Sequence, residues 1–209
     1  AIAVRARKGE ADVVLSDSPE TDAALEQEGV VTKRTPFMTS RFVVLGPKTD
    51  PAGVARLAKP EAALGQVLRL HSPLVSRGDD STAHRREGVL LRAAGFDPSG
   101  RIDGVFRTGT SMPDSLRTAS QRRAYVLADL GTWLPHAGEL ALAILSKPAK
   151  AYEIVHSILQ LDSTRSGQPI ELEGAKALEK YLTSPAVQTR IAAFGRDRYG
   201  EAAFVPGTE

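Results

Sequence analysis

Pro73-Leu-Val-Ser-Arg-Gly-Asp-Asp-Ser-Thr-Ala-His84 passes from a short apolar run, through a polar loop, into a helical pattern. Residues 73–76 read as a strand, 77–82 as a loop, and 83–94 as a helix closed by Gly95 and then Asp97-Pro98. A strand that turns directly into a helix is the building unit of an α/β fold, and ligands in such folds gather at the carboxyl ends of strands. The loop is also chemically loaded. Arg77 carries a permanent charge on a donor fork suited to oxyanions. Gly78 lets the backbone turn sharply. Ser81 and Thr82 add hydroxyl donors, and the helix start that follows offers free N–H groups and the positive end of its dipole. Asp79 and Asp80 are expected to turn outward or to hold Arg77 in place, and His84 reads as a helix-surface histidine.

The pattern extends in both directions. Toward the N-terminus, residues 1–8 read as the end of a helix closed by Gly9, and the β-branched run 11–15 as a buried strand. Ser16-Asp-Ser-Pro19 then caps a helix over 20–28, which Gly29 ends. Residues 41–45 read as the next strand, stopped by Gly46-Pro47. A turn and helical stretch follows from Asp50-Pro51 to about Leu57, and a short helix covers 61–68. Toward the C-terminus, the polar turn Thr108-Gly-Thr-Ser111 leads from Phe106 into a helix over 113–122, with Pro113 tolerated in its first turn. Residues 124–127 and 140–145 read as strands around a helix start at Asp129-Leu-Gly-Thr132. Residues 154–161 form a further strand, and 170–182 and 185–194 are helices. Alternation of this kind predicts largely parallel sheets.

Three strand-to-helix junctions therefore bring hydroxyls to helix N-termini: Ser16 with Ser18, Arg77 with Ser81 and Thr82, and the loop holding Ser111 and Ser115. Taken singly, each reads as helix capping. Taken together, several neutral donors with one cation suit a fully ionised tetrahedral oxyanion, which only accepts hydrogen bonds.

Composition narrows the alternatives. The 209 residues are 42% hydrophobic, enough for a real core, and no run approaches the roughly 20 apolar residues of a membrane span. Twenty-seven Lys and Arg against 25 Asp and Glu leave a formal charge of +2, without the concentrated basic face of a nucleic-acid binder. The absence of cysteine excludes disulfides, thiolate metal sites and cysteine nucleophiles. The four histidines lack metal-ligand spacing, and neither a G-x-S-x-G elbow nor a Walker A sequence is present. The expectation is a binding protein with no catalytic residues, metal or cofactor.

Several segments carry a resemblance. Gly9-Glu-Ala-Asp-Val-Val-Leu15, Phe42-Val-Val-Leu-Gly-Pro47 with Asp50-Pro-Ala-Gly53, Ser76-Arg-Gly-Asp-Asp-Ser81, Ala124-Tyr-Val-Leu-Ala-Asp-Leu-Gly-Thr-Trp133, Leu182-Thr-Ser-Pro185, and Phe194-Gly-Arg-Asp-Arg-Tyr-Gly200 with Phe204-Val-Pro206 occur in that order across nearly the whole chain. Together they resemble the periplasmic tungstate-binding proteins of ABC importers. The resemblance implies a class II periplasmic-binding fold, with two α/β lobes joined by crossover strands that act as a hinge and a ligand held between them. The lobes would be residues 1–41 with 149–209 as lobe 1, and 42–148 as lobe 2. It implies tungstate or molybdate as ligand, an ABC permease as partner, and a periplasmic or extracellular location. It also implies Arg77 as the anion-binding cation, with Ser81 and Thr82 at the helix-start hydroxyl position. Ser111 and Ser115 fall on the second-lobe loop, and Ser16 and Ser18 on the first-lobe loop.

The sequence also departs from the family pattern. S-R-G-D-D-S-G-T-H in the family is Ser81-Thr-Ala-His84 at its end here, so Ala83 takes the Thr position and Thr82 substitutes for it. D-R-G-T becomes Asp129-Leu-Gly-Thr132, losing a charge at Leu130. The G-M-G loop becomes Ser111-Met-Pro113, and Ala151-Tyr152 stands where N-P-Y is the pattern. The family pattern begins about 40 residues earlier, with a strand, a Thr/Ser-rich loop, a helix and a second strand. A chain without them would leave the sheet of lobe 1 with an open edge, suited to a homodimer through that incomplete lobe, and would take any membrane tether from the missing N-terminus. The same departures motivate a second expectation, a binding-protein-like scaffold or sensory domain that has lost or changed its ligand.

Overall fold

The computed structural model describes residues 2–164 and 169–207. In chain order the elements are α1 (Ile2–Arg7), β1 (Val13–Ser16), α2 (Pro19–Gln27), β2 (Val31–Pro47), α3 (Pro60–Arg69), β3 (Leu74–Ser76), α4 (Thr82–Ala93), β4 (Val105–Arg107) and α5 (Met112–Arg122). They continue as β5 (Tyr125–Asp129), α6 (Leu130–Trp133), β6 (Leu142–Ile144), β7 (Glu153–Leu161), α7 (Leu172–Leu182), α8 (Pro185–Ala193), α9 (Arg196–Tyr199) and β8 (Val205–Pro206). The chain forms two compact units. Unit 1 comprises Ala1–Ser40 with Ile154–Glu209, and unit 2 comprises Arg41–Glu153. The chain passes from one unit to the other inside β2 and at the start of β7.

Unit 2 carries the three-strand parallel arrangement that its sequence predicts. β3 lies between β5 and β4 and runs parallel to both, with Leu74 opposite Tyr125 on one side and Val105 on the other. β3 and β5 are apolar because both of their faces are covered, with Leu74, Val75 and Val126 buried beneath Leu90 and Leu116, whereas β4 lies at the edge with Phe106 and Arg107 exposed. β2 and β6 extend the same sheet in the antiparallel sense, with Val43 opposite Ala128 and Leu45 opposite Ile144. The expectation of largely parallel sheets thus holds only for β5-β3-β4. The reason is connectivity. Helical crossovers return a strand in the same direction, whereas β2 enters unit 2 from unit 1 without one.

In unit 1, β1 pairs antiparallel with β7, with Val14 opposite Leu159, and β7 neighbours β2. Val14, Leu25, Val30, Val31, Leu159 and Leu161 form its core with Ala6. The first half of β2 was not readable as a strand from its sequence, Val31-Thr-Lys-Arg-Thr-Pro36, which is polar and contains proline. Tertiary partners hold it there. β8 pairs at Met38 and Thr39, and the Gln188 amide and the Gly207 N–H both donate to the Phe37 carbonyl at 3.0 Å. The helical stretch expected near residue 57 shrinks to one 3-10 turn over Val54–Arg56. Its N–H groups at Val54 and Ala55 are accepted by the Asp50 carboxylate. The Tyr125 hydroxyl donates to the same carboxylate at 2.9 Å, and burial together with that negative partner pushes the phenol up to about 12.

Candidate functional site

At the carboxyl ends of β5, β3 and β4, three polypeptide turns run directly into helices. A side chain on each turn caps the helix that follows. Ser81 accepts from the His84 N–H at the start of α4, Ser111 from the Asp114 N–H at the start of α5, and Asp129 from the Thr132 N–H at the start of α6. Capping satisfies one of the free N–H groups that every helix start exposes and leaves the others available to a ligand. The loops after β3 and β4 are zipped together beyond the strand ends. The Thr108 N–H donates to the Ser76 carbonyl at 2.9 Å, and the Gly109 N–H to the Arg77 carbonyl at 2.8 Å. Gly78 is required at this close approach. Its φ is +63°, and a Cβ there would meet the Cβ of Arg107 at 2.9 Å.

Arg77 leaves β3 with about a quarter of its side chain exposed and forms an ion pair with Asp79 through Nη2. Its Nε is buried and finds no acceptor among the described residues. An N–H sealed in this way costs about 1–3 kcal/mol until an acceptor reaches it. Burial works against ionisation of Asp79, but hydrogen bonds from Ser81 and the adjacent guanidinium outweigh it and hold the carboxyl below its ordinary range. Asp80 turns outward. It takes two hydrogen bonds of 2.9 Å from Arg85, and these lower its pKa. The half-buried His84 accepts the Asp80 N–H at Nδ1, 3.1 Å away, so it fastens the loop to the helix.

The other residues singled out by sequence fall into distinct positions. Thr82, half-buried, starts α4 beside Ser81. Ser111 is exposed, and its hydroxyl donates to the Asp114 carboxylate at 2.6 Å. Ser115 has no exposed surface, and its hydroxyl is shared with that of Thr108 at 2.8 Å, so it braces the loop from below. Ser16 and Ser18 belong to unit 1. The Ser16 hydroxyl accepts the Ser18 N–H at 3.2 Å, and the buried Ser18 hydroxyl meets that of Thr21 at 2.8 Å without capping α2. The structure therefore groups Arg77, Ser81, Thr82, Ser111 and Ser115 around one strand-end rim of unit 2.

Two of the departures from the family pattern lie inside. Leu130 is buried in unit 2, so the charge absent at that position is replaced by core packing, and Ala83 is buried on the inner face of α4. Tyr152 is also buried, its hydroxyl donating to the Pro60 carbonyl at 3.3 Å, while the Ala151 carbonyl accepts Arg86 at 3.1 Å.

Sequence reasoning missed Thr108, Ser76 and Glu87 as parts of this rim. Ser76 ends β3 with a buried hydroxyl that lacks a hydrogen bond of normal geometry. Glu87, on the inner face of α4, is only 5% exposed. Burial raises its carboxyl to about 7, against the opposing influence of the Ser76 hydroxyl and the charge of Arg107. Its helical phase was a usable signal, since Ala83, Glu87, Leu90 and Leu91 fall on one face, and the only acid on an otherwise apolar stripe stands out.

Comparison with known proteins supplies an independent line. Residues 4–180 match the PBP superfamily domain. The chain is 30% identical over 202 residues to the tungstate-binding protein TupA of Peptoclostridium acidaminophilum, covering 96% of this chain and 70% of that protein. Among solved structures, the tungstate-binding protein TupA of Desulfovibrio alaskensis G20 superposes with a TM-score of 0.85 at 27% identity, over 99% of this chain and 83% of that one. The tungstate ABC transporter structure from Geobacter sulfurreducens superposes with a TM-score of 0.79 at 27% identity, over 92% of this chain and 81% of that one.

Proposed function

The chain belongs to the PBP superfamily, and from that premise we propose that it is an extracytoplasmic solute-binding protein capturing a tetrahedral oxyanion, tungstate or molybdate, for ABC-type import. The observation that carries this reading is the convergence at one rim of unit 2 of the Arg77 guanidinium, hydroxyl-capped starts of α4 and α5, and the loop N–H groups that follow β3 and β4. An ion with four acceptor oxygens and no proton to donate matches such a set of donors. Arg77 supplies the counter-charge. Ser81, Thr82 and Ser111 supply hydroxyls at the rim, and Ser115 acts through Thr108. Ser16 and Ser18 are the proposed ligand hydroxyls of unit 1. The role is capture and release, with no covalent step, and the partner is an ABC permease. Among the described residues no helix is long and apolar enough to cross a membrane.

Titration calorimetry or a thermal-shift series with tungstate, molybdate, sulfate and phosphate tests the reading. A ligand at a hundred times its Kd stabilises by about 2.7 kcal/mol, and the response to tungstate or molybdate should exceed that to the other two. A flat response to all four would reject it. The second reading, a scaffold that has lost its ligand, is favoured by one observation, the Arg77–Asp79 pair that already neutralises the guanidinium. That reading requires a flat response.

A further inference from the structure

Arg107 ends β4 at the edge of the sheet, immediately before the turn that is zipped to the Arg77 loop. A guanidinium this close to an anion site would ordinarily be read as a second ligand for the anion. Its contacts assign it other work. Its Nη2 donates to two neutral carbonyls, those of Pro98 at 2.9 Å and Gly100 at 2.7 Å. The turn that receives it is closed on itself, because the Ser99 N–H and hydroxyl both donate to Asp97 Oδ1, at 2.9 and 2.6 Å. The side chain is thus anchored at both ends, and Gly78 rests on the stem between them. A Cβ on Gly78 would lie 2.9, 3.2 and 3.3 Å from Cβ, Cγ and Cδ of Arg107, so the backbone next to Arg77 lies directly against these methylenes. The Gly109 N–H, bonded to the Arg77 carbonyl at 2.8 Å, keeps the loop from lifting away. The anchoring turn also packs on α4, where a Cβ on Gly88 would lie 3.6 Å from Cγ of Pro98. Contacts therefore run from Arg77 through Gly78, the Arg107 stem and the 97–100 turn to the helix whose start carries Ser81 and Thr82.

We infer that Arg107 is a positioning residue whose anchored stem fixes the spacing between the Arg77 guanidinium and the start of α4, and so tunes the rim to tungstate or molybdate over the smaller sulfate. The inference rests on the oxyanion reading of this rim. Sulfate presents the same charge and the same tetrahedron of acceptor oxygens as tungstate. Size is the difference that the spacing of donors can read, and it is read only if that spacing is held. A loop free to shift would close on a smaller anion and accept both. The close-packed stem resists such a shift, because packed methylenes compress little. The charge of Arg107 acts on both dianions alike and cancels from the ratio of their affinities.

The test is that ratio, with tungstate titrated directly and sulfate measured by competition against bound tungstate, in wild-type protein, Arg107→Ala and Asp97→Ala. Arg107→Ala should lower the tungstate-to-sulfate ratio on the order of tenfold, the low end of what a fitted pocket gains from size. Asp97→Ala opens the anchoring turn and should lower the ratio in the same direction by less. This second variant separates position from charge, since loss of an acid acting through charge alone would strengthen both dianions and leave their ratio unmoved. A role confined to fold stability would leave the ratio unmoved as well. A wild-type ratio in Arg107→Ala, or in Asp97→Ala should the first variant fail to fold, would overturn the inference and leave the transport reading intact. So would wild-type protein that binds sulfate as tightly as tungstate. Wild-type protein that takes up none of tungstate, molybdate and sulfate would overturn the transport reading and the inference with it.

Discussion

The junction after β1 in unit 1 and the junction after β3 in unit 2 are built from the same parts and arranged for different work. Each strand ends in a serine, Ser16 or Ser76, and each following helix buries an acid that this serine influences, Asp22 or Glu87. Asp22 has no exposed surface, and burial raises its pKa against the Ser16 hydroxyl and the charge of Arg34. The difference lies in what surrounds the pair. β3 stands between two parallel neighbours, so three strand ends and their helix starts collect at one rim. β1 pairs antiparallel with β7, which brings no second helix start to its carboxyl end. Unit 2 also places a guanidinium directly after its serine, where unit 1 has Asp17. The cationic side chain thus follows the strand end in unit 2, and the matching junction of unit 1 carries neutral hydroxyls beside Asp17.

The comparison breaks most directly at Arg77. Arg77→Ala should weaken tungstate binding by about a hundredfold or more, the order expected when one member of a poorly hydrated charge pair is removed. Ser18→Ala in unit 1 should cost far less. Calorimetry on both variants measures the gap, and equal losses would place the charge recognition elsewhere.

The buried acids give the next largest effect. Glu87 has an ordinary pKa of 4.5 and titrates near about 7 in the folded protein, so between those values the folded state keeps a proton that the unfolded state has lost. Its stabilising contribution is complete below about 4.5 and is lost as pH rises to about 7, a change of up to about 3 kcal/mol at about 1.4 kcal/mol per pKa unit. Denaturant melts across that range should show wild-type stability falling and Glu87→Gln remaining flatter. Asp22→Asn should act in the same direction, because its pKa is raised as well. Asp79 sharpens the contrast from the other side. Its pKa is lowered, and it shares the guanidinium with any arriving anion. Asp79→Asn should tighten tungstate binding roughly tenfold at low salt, with the gain shrinking as salt is added. Weaker binding would show instead that Asp79 serves to aim Arg77.

How much of this was legible depended on whether the determining contact is local. The loop from Arg77 to Ser81 was readable because Gly78 at positive φ, the Ser81 cap and the helix start lie within a few residues of one another. The α/β class was readable for the same reason, as each strand-helix unit carries its own pattern. The first half of β2 was not, because Gln188 and Gly207 pair with Phe37 from more than 150 residues away. The antiparallel neighbours of the parallel strands were hidden likewise. The burial of Ser115 was not legible, because its sequence position beside a hydroxyl-rich turn says nothing of the packing of α5 that decides it. Glu87 was visible in helical phase, yet its significance came only from Ser76, a residue on another element.

The smallest effect separates the two junctions by their caps. Ser81 accepts the His84 N–H at 3.3 Å, and its hydroxyl also acts on the Asp79 carboxylate, so Ser81→Ala removes a cap from α4 and loosens Asp79 together, leaving, of its own two donors, only the backbone N–H on Asp79 at 3.2 Å. A lost cap costs about 1 kcal/mol. Ser18 precedes α2 without capping it, because its hydroxyl is turned to Thr21 and Pro19 opens the helix without an N–H to satisfy. Ser18→Ala should therefore cost about half a kcal/mol or less, the value of one neutral hydrogen bond at the low end of its range. Thermal melts of the two variants, without added oxyanion, read the difference directly. Because Ser81 both caps and positions, its variant should also lose tungstate affinity beyond its stability loss, whereas a Ser81→Asn variant that retains the cap should recover the stability and not the affinity. Recovery of both would mean that Ser81 acts on the helix alone and that the hydroxyl itself is not part of the rim's chemistry.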